Sequence, residues 1–328
     1  MVSDAAVVDS AWLRRHKVTA LTILAVAALY YATARLGLLQ QLVRDQVTPL
    51  WPPTGIAVAA LLLFGLRIWP GIAVGALAVN ISIGPTTASV LAIAAGNTLA
   101  PVCSYLLLRR AGFRNDLDRL RDALALVFLG ALGPMLISAT VGSGTLVLSG
   151  ALPADGFWPA WSVWWTGDAT GVLLVTPCLL VLRQARWPRD VGLAGWAEAA
   201  ALVVCTLTVT LLATGSSSSS LLFLVFPFLI WAAFRFEQAG AAPCALAVSL
   251  LAILAAGRET GPFAHHDLLT NMVTLQAFNG ALSLTALLLA AVITERNRTH
   301  EEIQRLCVEL ARTVTEQDRG TRPGSPGQ

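Results

Sequence analysis

The 328-residue chain is 56% hydrophobic and only 12% charged, with a mean hydropathy of +0.69, whereas soluble domains average about 25% charged residues. A soluble domain is excluded. The apolar material falls into stretches of about 16 to 25 residues, the length of helix that crosses a hydrocarbon core roughly 30 Å thick, so the chain reads as an all-α polytopic membrane helix bundle. A transmembrane barrel would need short alternating segments, which the sequence lacks. The formal charge of +3 points to no nucleic-acid partner, and the placement of the charges matters more than their sum.

Residues 1–17 form a short leading segment with Arg14, Arg15 and Lys17 beside the first apolar run. That run, 18–39, is too long for the core of a signal peptide and has no convincing cleavage site, so it is read as a retained span. Further spans are expected at 47–66, 69–84, 86–108, 123–148, 158–182, 196–214, 220–236, 240–256 and 272–294, about ten in all. The pair 47–66 and 69–84 carries an alternative. The first opens on Trp51-Pro52-Pro53-Thr54-Gly55 and the second is short, so the two can form a re-entrant pair that leaves eight full crossings. If the chain starts in the cytoplasm, only Arg35, Arg44 and Arg258 of the 22 basic residues fall outside. Basic residues are retained on the cytoplasmic side, which places both termini there.

After the membrane domain, 18–294, comes a segment 295–319 with Ile303, Leu306, Leu310 and Val314 on one helical stripe. Glu301, Glu302, Arg305, Glu309 and Arg312 flank it, and its one to two heptads fall short of a sustained coiled coil. The composition of 320–328 is that of a flexible tail.

Asp168 is the residue that most needs an explanation. It lies inside the run 158–182 beside Trp164 and Trp165, and a carboxylate at the centre of a bilayer costs at least about 2.5 to 3.5 kcal/mol on insertion scales. It therefore faces the bundle interior, either paired structurally with Arg35, Asn97 or a backbone group, or forming a ligand or proton site. The Trp51-Pro52-Pro53 cluster is either plain helix initiation with an interfacial tryptophan or a rigid wall of an outward-facing pocket. Asn80 and Asn97, among small residues, serve helix packing or ligand contact. Gln276, with Asn271 and Asn279 in the last span, serves packing or links a pocket to the helix that follows. His265 and His266 beside Asp267 lie in a predicted loop, where solvation is the simpler reading than a metal or pH-responsive site.

Catalysis finds little support. Aspartyl chemistry needs two neighbouring carboxylates, and Asp168 alone lies deep in a span. There is no H-E-x-x-H, and His16, His265, His266 and His300 all fall outside the spans. Cys103, Cys178, Cys205, Cys244 and Cys307 show no metal-ligand spacing, so neither metal nor cofactor is expected.

Taken in order, six motifs resemble one family. They are Trp51-Pro-Pro-Thr-Gly; Gly65-x-Arg67-x-Trp69-Pro70-Gly71; Gly96-Asn97-Thr98; Trp164-Trp165-x-Gly167-Asp168-x-x-Gly171 with Thr176-Pro177; Phe226-Pro227 through Trp231-Ala-Ala-Phe-Arg235-Phe; and Leu275-Gln276-x-Phe278. The family is the type-one MASE domain, a membrane-associated sensor domain of bacteria, and the resemblance covers about residues 18–298. It implies a sensor of the bacterial plasma membrane. Its ligand pocket would draw on Trp51, Pro52, Pro53, Asn80, Asn97, Trp164, Trp165, Asp168 and Gln276. Its last helix would signal through Ile303, Leu306, Leu310 and Val314 to a histidine kinase or diguanylate cyclase. No such output module is present before Gln328, which leaves a stand-alone sensor, a partner subunit or a truncated product, acting as a homodimer or on a separate cytoplasmic protein, with membrane lipid around it. The rival function is a small-solute or proton-coupled transporter, since a broken helix at Trp51-Pro-Pro, one buried acid and internal asparagines also suit a solute pathway.

Overall fold

The computed structural model describes residues 3–38, 49–184, 192–216, 218–264 and 268–321; the predicted loop at His265 and His266, Arg44, Arg186, Arg189 and most of the predicted tail lie outside them. The described residues are all helical or connecting. The long elements are α1 (Ser3–Leu38), α2 (Pro52–Phe64), α3 (Trp69–Ile81), α4 (Thr87–Arg110), α5 (Leu120–Ala125), α6 (Met135–Leu148), α7 (Phe157–Gln184), α8 (Leu193–Gly215), α9 (Phe226–Gly257) and α10 (Leu268–Thr321). Among the described residues seven helical stretches are long and apolar enough to cross a membrane: His16–Leu38, Thr87–Arg110, Leu120–Leu148, Ala154–Arg183, Leu193–Gly215, Leu221–Gly257 and Thr270–Thr313. The fold class is the expected multi-span helix bundle, but the described residues do not form the ten separate long helices expected.

Two departures explain the difference. The stretches expected at 47–66 and 69–84 are short helices of 13 residues each, α2 and α3, about 20 Å long and so shorter than the hydrocarbon core. The stretches expected at 220–236 and 240–256 belong to one helical run that folds back at Glu237, where the backbone takes φ 52° and ψ −137°. A Cβ added at Gly240 would sit 2.9 Å from the Ala232 carbonyl oxygen. In a straight helix eight residues span about 12 Å, so α9 is a hairpin of two arms.

The bundle is arranged around α7. Every residue from 167 to 178 is buried, as expected of a helix apolar on all sides. In its apolar 18-residue stretch 72% of residues are buried, against 28% in the corresponding stretches of α1 and α8. Those outer helices turn Leu21, Leu24, Val204 and Leu212 outward, the side chains that would meet lipid. On one flank α1, α2 and α3 enclose Tyr30, Ala57, Leu61 and Ile72. On the other, both arms of α9 pack against α10 through Leu229, Ala245, Val248, Leu275 and Leu282.

Among the long helices the closest backbone approach is between α2 and α7. A Cβ on Gly55 would lie 2.1 Å from the Gly171 carbonyl oxygen, and one on Gly171 would lie 2.2 Å from the Trp51 carbonyl oxygen. Only glycine at both positions lets the two backbones meet, the small-residue logic of helix contacts in membranes. Thr176 Oγ1 donates to the Gly55 carbonyl at 2.9 Å, and Trp51 N donates to the Gly167 carbonyl at 3.1 Å.

The fifth-to-sixth helix connection is a π-helical segment, Leu126–Leu132, and its cause is legible in Pro134. Gly130 would pair with the amide of residue 134 in an α-helix, but proline has no N–H and its ring clashes with that carbonyl. The Gly133 amide reaches back to Phe128 instead. Ser104 of α4 donates to the freed Gly130 carbonyl at 2.6 Å.

Gly55→Ala is expected to lower stability by about 1 to 3 kcal/mol, the usual cost of overpacking. Gly144→Ala, where a Cβ meets open space, should be neutral or slightly stabilising because alanine is the better helix former. Thermal unfolding of the two variants in detergent separates them; equal behaviour would mean that α2 and α7 are not in contact.

Candidate functional site

Asp168 is 1% exposed on α7. Its carboxylate is held by hydroxyls from two other helices: Thr54 Oγ1 of α2 donates to Oδ1 at 2.6 Å, and Ser138 Oγ of α6 donates to Oδ2. The indole of Trp164, one turn earlier on α7, also reaches the carboxylate. Among the described residues no ion pair involves Asp168. The expected alternatives are therefore corrected: Arg35 is exposed on α1, and Asn97, although buried on α4, is not one of the carboxylate's partners. The carboxylate is accommodated by hydrogen-bond donors, as a buried charge without a cation must be.

The start of α2 makes this possible. Gly167, opposite Trp51, lies about 15 Å along α7 from its first residue, so α2 begins deep inside the bundle rather than at its edge. A buried helix start normally leaves several N–H groups without partners. Pro52 and Pro53 occupy the first two helical positions and have no N–H to leave. Trp51 lies outside the helical region, at φ −113° and ψ 86°, as a residue before proline is steered away from helix. Thr54, at the third position, brings its hydroxyl to Asp168, and the positive end of the α2 dipole favours a carboxylate there. The half-buried Trp51 packs its ring over Gly37 of α1, 3.5 Å from where a Cβ would stand.

Tyr30 of α1 joins the same region. It is 1% exposed, interacts electrostatically with Asp168, and its hydroxyl lies beside the Trp51 side chain. Trp164 packs flat enough against α6 that a Cβ on Gly142 would lie 2.5 Å from its ring. Trp165 donates its indole N–H to the Leu132 carbonyl at 2.8 Å and stacks on Trp161 at 5.6 Å between centroids. Trp161 in turn donates to Thr140 Oγ1 at 3.0 Å. The outer half of α7 is thus tied to α6 by aromatic side chains.

Of the residues singled out in the sequence, Trp51, Pro52, Pro53, Trp164 and Asp168 are brought together here. Asn80 is not among them: near the end of α3 its Nδ2 donates to the Ala76 carbonyl of its own helix at 2.8 Å. Gln276 lies on α10, where its Nε2 is buried without a partner among the described residues, as are both amide atoms of Asn279; neither bonds Asp168. Sequence reasoning missed the roles of Thr54, Ser138 and Tyr30. Thr54 stands within the Trp-Pro-Pro-Thr-Gly motif and could have been suspected. Ser138 and Tyr30 carry no local signal, because only packing brings α6 and α1 to α7.

Ile303, Leu306 and Leu310 all lie on the exposed end of α10, at 53%, 54% and 66% exposure. The Val314 side chain lies outside the described residues. α10 is one unbroken helix of 54 residues, about 80 Å long, so the predicted last span and the amphipathic segment beyond it are one rod. Among the described residues no group of three or more histidine, cysteine, aspartate or glutamate side chains forms a metal-binding cluster. The free thiols are Cys103, Cys178, Cys205, Cys244 and Cys307, of which Cys307 alone is exposed.

The described residues form a multi-span helix bundle with a buried acid at its centre and a long helix leaving one end. The MASE1 family matches residues 21–297, and the chain belongs to that family of non-catalytic membrane sensor domains. It is also similar to a probable diguanylate cyclase, DgcE, of Escherichia coli (strain K12), with 28% identity over 204 residues. That alignment takes in 59% of this chain and 17% of the relative, so the chain spans only a small part of the relative's length. No solved structure matches.

A double-mutant cycle tests the central contact. Ser138→Ala should cost about 1.5 to 3 kcal/mol with Asp168 present, the range for a hydrogen bond to a charged group, and clearly less in an Asp168→Asn background. Equal costs in the two backgrounds, measured by thermal unfolding, would remove the Ser138 bond from the site.

Proposed function

We propose that this chain is a signal-input protein in which the region around Asp168 detects a ligand or a state of the membrane, and α10 passes the response to a cytoplasmic partner. The observation that carries this reading is the buried carboxylate at the start of α2. It is held only by hydroxyl and indole donors, and the buried Tyr30 hydroxyl, beside Trp51, lies in the same region. Buried charges are usually paired with opposite charges; an acid held by neutral donors alone is suited to a change of partner. Trp51, Pro52, Pro53, Trp164 and Trp165 form the walls of the proposed pocket. Asn80, Asn97 and Gln276 shape the surrounding helices.

In the proposed topology both termini lie in the cytoplasm, on the side rich in Arg109, Arg110, Arg114, Arg119 and Arg121. Eight full passes are formed by α1, α4, α5 with α6, α7, α8, the two arms of α9, and α10. The short helices α2 and α3 supply a further in-and-out pair, the re-entrant alternative. The likeness to a probable diguanylate cyclase supports an output of that general kind, or a histidine kinase, acting through a second copy or a separate protein. The stripe of Ile303, Leu306, Leu310 and Val314 would dock on the partner helix, since so short an amphipathic helix is marginal alone in water.

Oxidative crosslinking of Cys307 in native membranes tests the output helix. A covalent dimer, or an adduct with a heavier protein, is expected. Leu306→Pro should abolish it while the membrane bundle stays folded, because an interior proline costs about 3 kcal/mol or more in a helix. Reporters fused after Arg114 and at the carboxyl end should behave as cytoplasmic, and one near Asp155 as exported. The broken start of α2 favours transport as the second reading. Absence of any Cys307 adduct, together with proton or solute flux in vesicles that Asp168→Asn abolishes, would decide for it.

A further inference from the structure

The helical run from α5 through the π segment to α6 touches both the Asp168 site and α10. Pro134 makes it a connector by freeing carbonyl groups. The Leu136 amide donates to Gly133 rather than to Leu132, and the Leu132 carbonyl accepts the Trp165 indole instead. One turn further on, Ser138 holds Asp168. At the opposite end the Leu120 amide, first in α5, donates to Glu295 Oε2 at 2.9 Å. Asp118, just before it and 3% exposed, takes an ion pair from Arg298.

Glu295 and Arg298 stand where α10 leaves the bundle. Thr294 is buried, and every described side chain from 295 to 313 is exposed. A third tie lies close by, as Asn297 Nδ2 donates to Glu237 Oε1 in the α9 turn at 2.9 Å. α10 is therefore gripped at its exit by polar contacts to two other parts of the fold. One of them is the same run that bonds Asp168 and Trp165.

Resting on the reading of Asp168 as the input, we propose that the α5–α6 run is the transmission element. A change of partner at Asp168 shifts Ser138 and Trp165, the π segment takes up the shift, and the contacts of Asp118 and Leu120 with Arg298 and Glu295 hand it to α10. π segments are suited to this because they hold one more residue per turn than an α-helix needs and can change pairing locally. The contact with Arg298 and Glu295 acts as a clasp: closed, it fixes α10 against α5, and open, it frees the helix to turn toward its partner.

Spin labels on the full-length protein in membranes test this. One label is placed on Cys307 with the other four cysteines replaced by serine, and another on Leu124→Cys of α5 in a background lacking all five. Asp168→Asn is expected to change both line shapes. The double variant Glu295→Gln with Arg298→Gln alters two exposed side chains and leaves Asp118 its second cation, Arg114. It should raise mobility at Cys307 at least twofold, and in it Asp168→Asn should move the α5 label only. If Asp168→Asn still moves the Cys307 label in that background, or never moves it while the α5 label responds, the transmission route is wrong and the Asp168 reading stands. If neither label responds to Asp168→Asn, the Asp168 reading itself fails and the route fails with it.

Discussion

The architecture depends on the close approach of α2 to α7. Two glycines, Gly55 and Gly171, leave the backbones in direct contact, and everything notable about the site follows. A helix that begins deep within a bundle must dispose of its first amides, and Pro52 and Pro53 remove two of them at once. The third residue, Thr54, then carries a hydroxyl to the one acid in the central helix. The acid, the prolines and the glycines are parts of a single solution: a broken helix can start inside the protein when its end is capped by chemistry rather than by water.

A second constraint of the same kind operates in α5 and α6. Pro134 breaks the regular pairing and leaves carbonyl groups unpaired. In a membrane such groups must find partners within the protein, and Ser104 and the Trp165 indole supply them. Local defects in two helices thus become the contacts that bind neighbouring helices together. Each defect lies beside α7, and so the central helix is anchored by groups that a regular helix would have kept for itself.

The opposite end of the bundle is organised by charge. Asp118 is buried although its partners Arg114 and Arg298 are about half exposed, so the acid is fixed and the arginines converge on it. Breaking such a pair costs more than forming it contributes, because the remaining buried charge stays uncompensated. The long rod of α10 therefore has a defined point of exit, beyond which its apolar residues Ile303, Leu306 and Leu310 are free to meet another helix. Membership of the MASE1 family fits this division into a membrane input region and a projecting helix.

Much of the molecule was legible in the sequence because bilayer chemistry is restrictive. Apolar runs of the right length, sparse charges and arginines gathered on alternate links determined an all-helical, multi-span protein. Asp168 stood out because an acid in an apolar run needs a reason. The pairing of the Trp-Pro-Pro-Thr-Gly and Gly-Asp motifs was not legible, since hydropathy carries no information on which helix faces which. The guess of Arg35 failed for that reason: charge complementarity suggested a cation, whereas helix packing brought hydroxyls from Thr54 and Ser138. Asn80 turned inward on its own helix, and the fold-back at Glu237 joined two expected spans into one helical run. The sequence by itself determined the solvent this protein lives in and the residues that solvent makes costly. Only the tertiary structure decided their partners, because partner choice depends on contacts between helices far apart in the chain, set by where small residues allow backbones to touch.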